Sequence, residues 1–115
     1  MSNAAIGIRP MSTEAVLRNH LRAAKVGVDA VMEDYTELSV LITHEGTYRG
    51  LAEIRRFFTG LFEGLPAGFF EDLKLRREEI IGEVAYILWD REPLSQATDT
   101  FVVRDGKILF QTFTP

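Results

Sequence analysis

Residues 84–113, VAYILWDREPLSQATDTFVVRDGKILFQTF, decide the fold class. β-Branched and aromatic residues crowd three short runs, Val84 to Arg91, Gln96 to Arg104 and Ile108 to Phe113, and such residues suit a pleated, half-buried surface. Pro93-Leu94-Ser95 separates the first two runs. Asp105-Gly106, a strong short-range hairpin signal, separates the last two. Both parities of each run are apolar: Ala85, Ile87 and Trp89 alternate with Val84, Tyr86 and Leu88, and Phe101-Val102-Val103 and Ile108-Leu109-Phe110 repeat the pattern. An antiparallel sheet with one wet face alternates more cleanly, so both faces of this sheet are expected to be covered.

Working back toward the N-terminus, the period changes. Gly82-Glu83 reads as a hairpin turn, preceded by a strand over Phe69 to Ile81 in which Phe69, Leu73, Leu75 and Ile81 share one parity. Leu51, Ile54, Phe57, Phe58, Leu61 and Phe62 form one broad helical stripe, stopped by Gly64-Leu65-Pro66. His44-Glu45-Gly46-Thr47 reads as a turn after a strand over Leu38 to Thr43. Earlier still, Val16, Leu17, Leu21, Ala24 and Val28 recur at helical spacing behind an N-cap at Ser12 or Thr13. Gly27 breaks that helix, and a short second helix follows from Asp29 to about Asp34. Helices on one face of a largely antiparallel sheet make an α+β fold. Because the helices cover only one face, a second copy of the chain is the simplest cover for the other, and a homodimer through the sheet is expected.

A chain of 115 residues suffices for one domain, and 46% hydrophobic with 26% charged residues is a globular composition. Residues 12–115 are read as that domain. Residues 1–11 are read as a tail, disordered or left by cloning, with Met11 as an alternative start. The net charge of -4 opposes binding to nucleic acid or to an anionic membrane, and the basic doublets Arg55-Arg56 and Arg76-Arg77 each have Glu nearby. The absence of cysteine excludes disulfides, thiolate metal sites and cysteine nucleophiles, and fits a cytoplasmic protein. No run approaches the roughly 20 apolar residues of a membrane span. Two distant histidines and scattered carboxylates make no metal-ligand spacing, and neither a phosphate-cradling glycine loop nor a serine-elbow motif occurs.

Two stretches resemble the SnoaL-like branch of the nuclear transport factor 2 superfamily. Residues 34–43 (DYTELSVLIT) with 46–58 (GTYRGLAEIRRFF) look like that superfamily's strand, "Y-R-G" turn and third helix, and residues 99–108 (DTFVVRDGKI) look like its closing hairpin. The resemblance implies a cone-shaped, curved mixed or antiparallel sheet wrapped around about three N-terminal helices, with an apolar pocket that several members use for acid–base chemistry. Among ketosteroid isomerases, which resemble this chain, the oxyanion-hole aspartate falls on Asp99, the oxyanion-hole tyrosine on His20 and the general-base aspartate on Thr43. Threonine cannot take a carbon-bound proton at neutral pH, so steroid isomerisation by that route is not expected.

Candidate catalytic residues follow. Asp99 shares a strand face with Ala97, Phe101 and Val103; on such a face a carboxyl loses hydration, its pKa rises, and the protonated acid donates to a ligand carbonyl. Alternatively it caps a turn or pairs with an arginine. His20 borders the helical stripe, either as a pocket donor or as a half-wetted boundary histidine. His44, beside Thr43, is either a substitute base or a solvent-facing turn residue. Trp89, Tyr48, Phe69 and Phe113 line a pocket or simply fill the core, and Thr43, Tyr35 and Gln111 are further ligand-binding candidates. The expected function is binding of a small, mostly apolar carbonyl compound. If the protein is catalytic, the chemistry is cofactor-free proton transfer in an isomerisation, cyclisation, dehydration or hydrolysis. A non-catalytic ligand-binding or dimerisation module is the alternative.

Overall fold

A computed structural model describes residues 11–115. The tail assigned to residues 1–11 lies, but for Met11, outside the described residues. The order of elements is α1 (Thr13–Ala23), α2 (Val28–Met32), β1 (Val40–Thr43), β2 (Gly46–Arg49), α3 (Gly50–Glu63), a 3-10 helix (Phe69–Asp72), β3 (Lys74–Ile81), β4 (Val84–Arg91), β5 (Leu94–Arg104) and β6 (Lys107–Thr114). One sheet holds the strands in the order β2-β1-β6-β5-β4-β3. Only the β1–β6 pair is parallel, so the sheet is mixed. Among the described residues, no helix is long and apolar enough to cross a membrane.

Local chemistry starts each helix. Ser12 caps α1 by accepting the Ala15 N–H at 3.1 Å, and Glu14 lies in the first turn. Val16, Leu17, His20 and Ala23 follow at spacings of one to four and form its buried stripe. Gly50 explains the Tyr48-Arg49-Gly50 signature. Its φ is +79°, and a Cβ there would meet the Glu37 carboxylate at 3.0 Å. The close approach lets Glu37 accept the Leu51 N–H at 2.8 Å, which ties the start of α3 to the loop before β1.

The curvature has identifiable causes. The register slips between Leu75 and Arg77, between Trp89 and Arg91, and between Val102 and Val103. Each irregularity bends its strand and increases the local twist, so the sheet wraps the helices. The Asp105-Gly106 turn has positive φ at both residues, 54° and 77°, which the type I′ hairpin requires.

Three local expectations are corrected. Phe69–Asp72 is a 3-10 helix rather than strand. Only His44 and Glu45 form the turn after β1, because Gly46–Arg49 pairs with β1 as β2. The parity of β3 also changes at its bulge. Ile81 pairs with Val84 on the outer face and is 68% exposed, whereas Glu78 faces the helices. There Glu78 accepts two 2.6 Å hydrogen bonds from Arg18 of α1. The buried core runs from α1 through α2 and α3 to the concave face of the sheet.

Candidate functional site

Asp99 sits at the centre of the concave face, opposite Ile87 on β4 and Phe113 on β6. Its diagonal neighbours on that face are Trp89 and Gln111, and long side chains reach across diagonals. Trp89 Nε1–H donates to one carboxyl oxygen at 2.9 Å, and Gln111 Nε2–H donates to the other at 2.9 Å. The Gln111 carbonyl oxygen in turn accepts from the Tyr35 hydroxyl. With Tyr35 as donor and Asp99 as acceptor, Gln111 has one self-consistent orientation.

Burial and hydrogen bonding pull Asp99 in opposite directions. It is only 7% exposed, and this desolvation raises its pKa from the ordinary 3.8. The Trp89 and Gln111 hydrogen bonds and the nearby His20 act the other way, but burial wins and the net direction is upward. Tyr35 is pushed well above its usual range by burial, and then by the negative charge of Asp99 and Asp34, so it remains a neutral donor.

A second polar group stands beside the first. His20 is 8% exposed and its Nδ1 lies 2.9 Å from an oxygen of Asp34, itself 4% exposed. The other Asp34 oxygen accepts from Asn19 Nδ2 at 2.9 Å. With Asp34 as the acceptor, a proton lies on Nδ1, and Nε2 is the acceptor nitrogen of that tautomer. No partner for Nε2 occurs among the described residues. The ring stands edge-on to Phe101, with centroids 5.2 Å apart, and to Tyr35 at 5.9 Å. Asp34 was not singled out in the sequence. It lies just past a short helix, fourteen positions from His20, and the packing of α1 on α2 brings the two together.

His20, Asp99, Gln111, Trp89, Phe69 and Phe113 all line one cavity of about 60 Å³ between the concave face and helices α1 and α3. The walls are otherwise apolar, with Phe57, Phe58, Phe62 and Phe70 supplying most of the rings, and neither lysine nor arginine lines it. Trp89 and Phe113 lie parallel within 10° with centroids 6.2 Å apart. Tyr35 stands behind the cavity wall, against Gln111, His20 and Phe58. Three candidates do not line it: Tyr48 packs behind Phe57 at 5.0 Å, Thr43 ends β1 in register beside Phe113 with its hydroxyl accepting the Glu45 N–H, and His44 is exposed on the β1–β2 turn. Among the described residues, no three His, Asp or Glu side chains gather closely enough to hold a metal ion.

A curved mixed sheet closed on one side by three helices, with an apolar cavity against its concave face, defines the nuclear transport factor 2-like class of α+β cones. The chain has this SnoaL-like fold, and solved structures agree. A nuclear transport factor 2-like protein from Burkholderia thailandensis superposes with a TM-score of 0.71 at 18% identity, over 90% of this chain and 89% of that one. A candidate polyketide cyclase from Sinorhizobium meliloti gives 0.69 at 15% identity, over 90% and 99%. A candidate calcium/calmodulin-dependent protein kinase type II association domain from Thiobacillus denitrificans gives 0.62 at 13% identity, over 94% and 98%. No protein-family model matches the sequence, and no curated protein does.

Proposed function

We propose that the protein binds a small, uncharged, largely aromatic carbonyl compound in its cone and moves a proton on it. The observation that carries this reading is the meeting of Asp99 and the His20–Asp34 pair on one apolar cavity. A substrate carboxylate or phosphate would find no cation on these walls, which favours an uncharged ligand. Protonated Asp99 donates a hydrogen bond to the substrate oxygen, while His20 Nε2 takes a proton from the adjacent carbon. The C–H bond breaks, an N–H bond forms on the imidazole, and the electron pair moves to the oxygen held by Asp99. Asp34 stabilises the imidazolium. Return of the proton to the same carbon gives exchange, and to another carbon gives isomerisation. The candidate polyketide cyclase with the same fold is consistent with such chemistry.

The test is α-proton exchange of 2-indanone in D2O, read by NMR. The wild-type protein is expected to accelerate exchange, and His20→Gln to lose about two or more orders of magnitude of it, as removal of a general base does. Equal exchange by both proteins overturns the role of His20.

A second reading is favoured by the cavity's size. About 60 Å³ is far below the roughly 300–1,000 Å³ of most ligand pockets, and both Asp99 oxygens already accept hydrogen bonds. On this reading the protein is a non-catalytic binding or dimerisation module, and 2-indanone binds without exchanging.

We also infer a homodimer through the convex face. Ile81, Val84, Val102, Phe110 and Val40 stand in register across five strands and form an apolar spine, which ends at Arg49 on β2. Phe110 is 45% exposed. The next row begins with Glu79 on β3, and a twofold axis that crosses the spine along the strand direction would set the Arg49 edge of one sheet over the Glu79 edge of the other.

A further inference from the structure

A second cavity of about 180 Å³ adjoins the first. Ala24, Phe62, Leu65, Phe69 and Phe70 line both, so these side chains are the partition between an inner and an outer chamber. The inner chamber is almost wholly apolar apart from its polar floor. The outer one is bounded by chain from the end of α1, Lys25 to Gly27, and by Pro66 to Glu71, which present polar groups.

The three partition rings are not held alike. Phe69 is buried and clamped: its carbonyl accepts from Arg91 Nε at 2.9 Å, and the Arg91 guanidinium lies 4.8 Å from its ring centroid. Phe62 belongs to the 14-residue helix α3. Phe70 is half-buried on a four-residue 3-10 helix that follows Gly68, whose φ is +72°. Its ring stands against three others, Phe69 at 5.0 Å, Phe62 at 5.4 Å and Trp89 at 6.3 Å. Rotation about χ1 frees it without breaking a hydrogen bond.

We propose that Phe70 determines ligand length at this site. It closes the inner chamber to anything beyond one small ring. A ligand of two linked parts, an aromatic ketone inside and a hydrogen-bonding ring outside, binds only as Phe70 turns aside. The proposal rests on the cavity being a small-molecule site and is independent of whether the protein is catalytic.

The probes are 2-indanone, with one aromatic ring, and 4-hydroxybenzophenone, with two separate rings, each titrated by calorimetry into wild type and Phe70→Ala. Phe70→Ala is expected to tighten 4-hydroxybenzophenone about tenfold, because the ligand no longer displaces a packed ring, and to change 2-indanone by less than about threefold. Phe70→Leu keeps most of the packing and should give the same order with a smaller ratio. If both ligands shift equally, Phe70 does not read length, although the binding site stands. If no probe binds any variant, the small-molecule reading fails and the proposal fails with it. A ligand-free readout is available because Trp89 is the only tryptophan. Acrylamide quenching of Trp89 is expected to rise at least twofold in Phe70→Ala, and unchanged quenching contradicts the partition.

Discussion

Replacing Asp99 separates its charge from its hydrogen bonds. Asp99→Leu leaves the Trp89 Nε1–H and the Gln111 Nε2–H, now paired at 2.9 Å each, without acceptors. Each buried orphan costs about 1–3 kcal/mol, so a loss of about 2–4 kcal/mol is expected after allowing for the apolar side chain gained. Asp99→Asn costs less. The amide oxygen still accepts from Trp89, and Gln111 can flip to accept from the new Nδ2–H, which leaves one Tyr35 hydroxyl proton unpaired, for about 1–2 kcal/mol at low pH. The pH dependence is the sharper signature. Burial raises the Asp99 pKa above 3.8, so over the interval between the unfolded and folded values the native state binds more protons than the unfolded chain. Stability contributed by Asp99 therefore falls as pH rises through that interval, by at most about 1.4 kcal/mol per pH unit, and is constant above it. Asn has no such dependence. Urea unfolding followed by Trp89 fluorescence from pH 4 to 8 should show Asp99→Asn gaining on the wild type as pH increases. A constant difference, or a wild-type advantage that grows with pH, refutes the burial argument.

Glu78→Gln tests the helix–sheet tie. Arg18 holds the Glu78 carboxylate below its usual range, so the stabilisation is present above pH about 4.5 and lost as pH falls through the lowered folded-state value. With Arg18 42% exposed, the cost at pH 7 is about 0.5–1 kcal/mol in urea unfolding, shrinking by pH 3.5; a cost that persists there contradicts the ion pair. Phe110→Glu puts a charge on the convex spine. Sedimentation should show a wild-type dimer and a folded monomeric variant, and a wild-type mass that stays monomeric at every concentration ends the dimer inference.

Much of the fold was legible because it rests on local chemistry. Asp105-Gly106 demands its hairpin, and the apolar stripes of α1 and α3 have no strand interpretation. The 3-10 helix and β3 were less legible. Phe69 to Asp72 carries strand-like residues, but Arg91, twenty-two positions away, holds Phe69 in the tight turn. Parity along β3 reverses at a bulge that has no marker in the sequence, and this is why Glu78 faces inward. The site divides in the same way. Asp99 was visible as a carboxyl on an apolar strand face, but the hairpin register carried back from Asp105-Gly106 sets Gln111 opposite Thr100, and only the bulge between Val102 and Val103 turns it onto the face of Asp99. Asp34 was hidden because its pairing with His20 spans two helices. His44 attracted notice through its neighbour Thr43, yet the tip of a two-residue turn has nowhere to point but solvent. Phe62 and Phe70 look like any core aromatics until the two chambers they divide are seen.

A ligand oxygen held at the cavity floor is reported directly by the carbonyl carbon of the bound ligand. With 2-indanone labelled with 13C at the carbonyl, a downfield shift of several parts per million is expected on binding, lost in Asp99→Asn while binding persists. A bound ligand whose carbonyl resonance stays at its position in an apolar solvent, in wild type and variant alike, would show that Asp99 does not hold the ligand oxygen.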